Sequence, residues 1–148
     1  MKRSRSEVGD SVLDEVRGVY RVLQQRPVER TCIRRTDCCR FRLTGKVPYL
    51  TRGEAMVAAH SVRRIGRTKL PARDDGACPL LDAEGKCLIY EGRPFGCRTH
   101  FCDAAGGAYG RAGVLDLIRR LEEIDQRLGG DGGRPLPTAV AWALRNLE

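Results

Sequence analysis

The chain has 148 residues, 41% hydrophobic and 31% charged, a size and balance that suit one domain burying roughly 70% of its unfolded surface. No apolar run approaches the roughly 20 residues that span a bilayer, and the basic start at residues 1–6 runs into Glu7-Val-Gly-Asp10 rather than an apolar stretch, so neither a membrane span nor a secretory signal is expected, and a cytoplasmic protein is. The net charge of +8 comes from 27 basic residues, 23 of them Arg; it attracts polyanions or acidic surfaces, but aromatics are only 5% and form no Arg-interleaved stripe on which bases could stack.

In chain order, Val8, Val12, Val16, Val19, Tyr20 and Leu23 recur at three- and four-residue steps, predicting an amphipathic helix over 10–25 that ends before Pro27. Phe41 and Leu43, then Thr44-Gly45-Lys46, then Val47 and Tyr49 suggest a short hairpin. Thr51-Arg-Gly-Glu54 reads as a capping box with Leu50 and Ala55 as a weak hydrophobic staple, opening a helix over 52–65 that stops at Gly66. From 67 to 113 the apolar residues are few and aperiodic. Val114, Leu117, Ile118, Leu121, Ile124 and Leu128 then give the cleanest helical stripe, ending at Gly129-Gly130. Residues 129–137 read as a linker, and 138–147 as a short helix burying Val140, Trp142 or Leu144. The expected fold is mainly α: three or four helices packed with an irregular cysteine-rich region containing short β-hairpins. It forms a single domain over 1–148, with the cysteine core at 31–102 and C-terminal helices at about 111–147.

Seven cysteines are the most informative count. A reducing cytosol disfavours disulfides, and an odd number cannot all pair within one chain, so metal thiolates compete with buried neutral thiols as the explanation. Four of the seven lie where the apolar pattern is poorest, and a thiolate-bound metal contributes on the order of 10 kcal/mol, enough to offset the ordering of several residues. Cys78 and Cys87 stand at the outer ends of a plausible hairpin whose arms are Leu80-Leu81 and Leu88-Ile89. Paired strands lie about 5.5 Å apart at Cα, which lets two sulfurs share one ion. Cys97 follows in Arg93-Pro-Phe-Gly-Cys97-Arg98, where Pro94 and Gly96 permit a backbone that wraps a ligand, and Cys102 is either a fourth donor or a buried thiol. Cys32, Cys38 and Cys39 form the other group; adjacent side chains diverge, so Cys38 and Cys39 serve two sites more easily than one. His100, two residues before Cys102, is a lesser candidate, and His60 reads as an ordinary helix residue.

The series Cys32-x5-Cys38-Cys39, Cys78-Pro-Leu-Leu, Gly85-Lys-Cys87-Leu-Ile-Tyr-Glu91 and Arg93-Pro-Phe-Gly-Cys97-Arg98 resembles the YkgJ-like family of cysteine-cluster proteins over residues 31–102. Its members are described as zinc- or iron-chelating domains and sometimes as iron-sulfur oxidoreductases. The resemblance implies that Cys32, Cys38, Cys39, Cys78, Cys87 and Cys97 are ligands or near-ligands, with Tyr90, Arg93, Pro94 and Arg98 around them. Where family members often open with Cys-x2-Cys-x2-Cys-Cys, Arg35 stands here in the second position, which removes one donor from any scheme of two all-thiolate centres.

Four thiolates suit tetrahedral zinc and a cubane iron-sulfur cluster alike. The expectation is therefore a cluster or a zinc ion held chiefly by Cys39, Cys78, Cys87 and Cys97. Its use would be as a redox or electron-transfer module with a redox partner, or else as a zinc-stabilised basic module for nucleic acid or an acidic protein. A catalytic domain has no independent support, because the sequence carries no phosphate loop, dinucleotide fingerprint or Ser-His-Asp candidate. Asp37, Asp82, Glu91 and Asp103 near the cysteines read as turn or surface residues.

Overall fold

A computed structural model describes residues 5–25, 48–70, 78–80, 87–95, 97 and 111–146. In chain order these form α1 (Arg5–Gln25), β1 (Tyr49–Leu50), α2 (Arg52–Arg64), α3 (Leu115–Arg127), β2 (Arg134–Pro135) and α4 (Leu136–Asn146). Single 3-10 turns lie at Tyr90–Gly92 and Arg111–Val114. The architecture is mainly α. No helix among the described residues is long and apolar enough to cross a membrane.

Helix α2 is the centre. Its small residues Ala55, Ala58 and Ala59, with Val62, are fully buried in a first cluster that includes Leu50, Leu80, Ile89, Leu136, Val140 and Leu144, because alanines let α4 approach closely. Its opposite side, through Val57, joins a second cluster with Val16 and Val19 of α1, Leu117, Leu121 and Ile124 of α3, and Phe95. A β-carbon on Gly53 would lie 2.9 Å from Val16 Cγ2 and 3.0 Å from Ile124 Cγ2, so the missing side chain is what allows α1, α2 and α3 to converge.

The predicted capping box is present: Glu54 Oε2 accepts the Thr51 amide at 2.9 Å and its hydroxyl at 3.0 Å. The helix stops as expected, with Ile65 as its C-cap and Gly66 at φ +85°, a left-handed conformation that favours glycine. Helix α1 buries the predicted Val12, Val16, Val19, Tyr20 and Leu23 but starts five residues earlier than the stripe suggests. The added turn is Arg5-Ser-Glu-Val-Gly9, where Val8 alone continues the apolar stripe and the periodicity gives little signal.

Two expectations need correction. Tyr49 is in a strand, but the residue opposite it is Pro135, with Leu50 opposite Arg134 in an antiparallel pair; the rest of the predicted hairpin, 41–47, lies outside the described residues. The supposed linker 129–137 is ordered structure. Asp125, 1% exposed, accepts the Arg52 amide at 2.8 Å and the Gly132 amide at 3.0 Å, while its own carbonyl accepts from Gly130 at 2.8 Å. This carboxylate caps the first turn of α2 and folds the glycine strap onto it. Leu136 then donates to the Pro48 carbonyl at 2.9 Å, and α4 begins at Leu136, two residues ahead of the expected start, with Pro137 inside its first turn. Of the three residues expected in its buried face, Val140 and Leu144 are buried. Trp142 is half-buried, with the Arg52 guanidinium carbon 4.9 Å from its ring centroid.

Candidate metal centre

Of the candidate ligands, Cys78, Cys87 and Cys97 are described, and Cys32, Cys38, Cys39, Cys102 and His100 lie outside the described residues. The three carry thiols. Cys78 is buried within the first cluster, and Cys87 and Cys97, both half-buried, pack against that same cluster. Cysteines separated by up to 19 positions in sequence thus border one hydrophobic cluster, most of it supplied by α2 and α4.

Local geometry follows from the chain. Leu88 donates its amide to the Leu80 carbonyl at 2.8 Å, a bond between the two arms that the sequence pairs; the turn joining them, 81–86, is outside the described residues. Leu80 donates its amide to Cys78 Sγ at 3.5 Å. A backbone donor aimed at sulfur is the kind of outer contact that a metal-bound cysteine accepts. Beyond the hairpin, Gly92 donates to the Ile89 carbonyl at 2.7 Å and Cys97 to the Pro94 carbonyl at 3.1 Å, so the chain turns twice between Ile89 and Cys97.

Two contacts and a buried proline seat this loop on α2. Phe95 donates its amide to Glu54 Oε1 at 2.8 Å, while its ring enters the second cluster. Pro94 is fully buried. Gly92 sits so close to Ser61 that a β-carbon there would collide with the Ser61 hydroxyl, itself bonded to the Val57 carbonyl at 2.9 Å. The loop therefore reaches across α2 into the second cluster and returns Cys97 to the first.

Glu54 is the supporting residue that sequence reasoning took only as a cap. Its carboxyl is buried, 3% exposed, with Oε2 committed to the start of α2 and Oε1 to the cysteine loop. Burial pushes its pKa above the ordinary 4.5, opposed by the Thr51 and Phe95 amides and the Thr51 and Tyr20 hydroxyls, all of which favour the charged form. The capping pattern signals the first role. Nothing local signals the second, because Phe95 is 41 residues away.

His60 is half-buried in α2, Arg93 half-buried and Glu91 exposed; Asp37, Asp82, Arg98 and Asp103 lie outside the described residues. Among the described residues no three His, Cys, Asp or Glu side chains are placed to share an ion. The three described thiols match zinc or an iron-sulfur cluster in donor chemistry and form an incomplete set by themselves.

A mainly helical chain that seats cysteine-bearing segments against one helix has the make-up of a cysteine-cluster protein. The chain belongs to the CxxCxxCC family, described as "Putative zinc- or iron-chelating domain", whose model matches residues 30–112. That span is more than half the chain and contains all seven cysteines. No curated protein and no solved structure matches the chain.

Proposed function

We propose that this chain binds zinc or an iron-sulfur cluster through thiolates, chiefly Cys78, Cys87 and Cys97 with Cys39. Cys32, Cys38 and Cys102 are further donors or close neighbours. The family's description as a chelating domain carries the reading; that Cys78, Cys87 and Cys97 all border one hydrophobic cluster, with the Leu80 amide on Cys78 sulfur, supports it, and the three draw together on an ion only with the remaining donors. At least one donor must then come from the cysteines at 32–39 or from Cys102.

When bound, a cluster supplies one-electron chemistry at a potential set by the hydrogen bonds and burial around its sulfurs. The chain's own part is to hold charge and shape. The Leu80 amide stabilises negative charge at Cys78, the hydrophobic cluster limits solvent on one side, and Glu54 fixes the Phe95 amide two residues before Cys97. Cys87 and Cys97 are half-buried rather than sealed in the core, which supports access by a redox partner, and we favour electron transfer on that ground.

Anaerobic purification followed by elemental analysis tests the proposal. Brown protein with broad absorption near about 400 nm indicates a cluster; colourless protein with stoichiometric zinc indicates a structural centre. Folded, metal-free protein overturns both. Cys87→Ser and Cys97→Ser are expected to release metal and Cys102→Ser to retain more of it, so equal retention in all three contradicts the assignment.

A further inference from the structure

A recess of about 200 Å³ lies between β1, the first turn of α2, the glycine strap and α4. Leu50, Ala55 and Ala139 form its apolar part, and Arg52, Arg134, Arg145 and Trp142 its polar wall. It shares no residue with the cysteine loop. We infer that this recess binds a phosphate group.

Charge is the first argument. Three guanidinium groups line the recess against one carboxylate, Asp131, and that carboxylate is paired with Arg134. Among the described residues Arg52 and Arg145 form no ion pair, which leaves two positive charges at the recess to attract an anion. Two such charges match a doubly charged phosphate better than a carboxylate.

Preorganisation is the second. Arg52 donates to the Leu128 carbonyl at 2.9 Å and lies against the Trp142 ring. A guanidinium already held on two sides loses little further freedom when it meets a ligand, and its planar fork suits phosphate oxygens. Thr138, at the edge of the recess, adds a hydroxyl able to donate. Size is the third argument: 200 Å³ is below the roughly 300–1,000 Å³ of sites that enclose whole ligands. The recess therefore takes the phosphate of a larger molecule, or phosphate itself, with the remainder outside.

Trp142 is the only tryptophan and reports on this recess directly. Inorganic phosphate titrated into the full chain at constant ionic strength should change Trp142 emission saturably, with matching heat in calorimetry. Arg145→Gln, an exposed position in the last turn of α4, should weaken binding about tenfold and leave the urea midpoint unchanged; Arg134→Gln should weaken it in the same direction. A response that fails to saturate, that chloride or acetate reproduces, or that survives both substitutions overturns the assignment. The outcome is independent of metal content, so it stands apart from the test of the cysteine centre.

Discussion

Glu54 does two jobs with two oxygens, and the pair of jobs is possible only because the carboxyl is buried where α2 begins and the cysteine loop crosses. Replacing it by Ala leaves the Thr51 and Phe95 amides without their acceptor; the expected cost is about 2 kcal/mol, read as a lower urea midpoint. The pH dependence has a fixed sign. Because burial raises the folded-state pKa above 4.5, the folded protein holds this proton more tightly than the unfolded chain does. Its contribution is complete below pH 4.5 and is lost as pH rises through the folded-state value. Glu54→Gln, which cannot ionise, should flatten that portion of the stability profile in acid denaturation series; an unchanged profile would place the titration elsewhere. Asp125 is the parallel case at the other contact of the same helix end. Asp125→Ala frees the Arg52 and Gly132 amides together and should cost about 2–3 kcal/mol in the same measurement.

Among the elements, α2 carries the site because both clusters use it and the cysteine loop lies across it. Gly92 sets the closeness of that crossing. Gly92→Ala drives a methyl into the Ser61 hydroxyl, and the loop should lift from the helix by a local displacement. The expected result is faster labelling of Cys97 by a thiol reagent, located by mass spectrometry, with helix content by circular dichroism preserved. Unaltered labelling would mean that Gly92 does not control the loop. Much of this level was readable in advance: the stripes of α1 and α3 and the capping box of α2 each depend on residues three or four apart, within reach of a local pattern. Tyr49 with Pro135, and Phe95 with Glu54, are not local. The Gly- and Pro-rich run 129–137 reads as a linker because glycine signals freedom; here it allows close approach to Asp125, where a β-carbon on Gly130 would collide with the carboxylate.

For the molecule as a whole, two hydrophobic clusters sharing one helix divide the consequences of metal loss. Cys78, Cys87 and Cys97 lie with the first cluster, whereas α1 and α3 are packed in the second. Removal of bound metal by a chelator should therefore lower the thermal midpoint and raise thiol reactivity, while most of the far-ultraviolet helix signal remains at 25 °C. Global loss of helix on chelation would mean that the two clusters do not hold independently, and no change in the midpoint would mean that metal contributes nothing to the fold.

The amino-acid sequence by itself determined the helical class, the cap that starts α2, the buried stripes and the cysteine spacing that marks the family, because each is written in residue type at short, regular intervals. Tertiary structure alone decided that a capping glutamate also holds the cysteine loop, that Asp125 folds the glycine strap onto α2, and that Arg52, Arg134 and Arg145 line one recess with Trp142. Those pairings join residues tens of positions apart, and their partners are chosen by which buried amides and charges meet once the helices have packed.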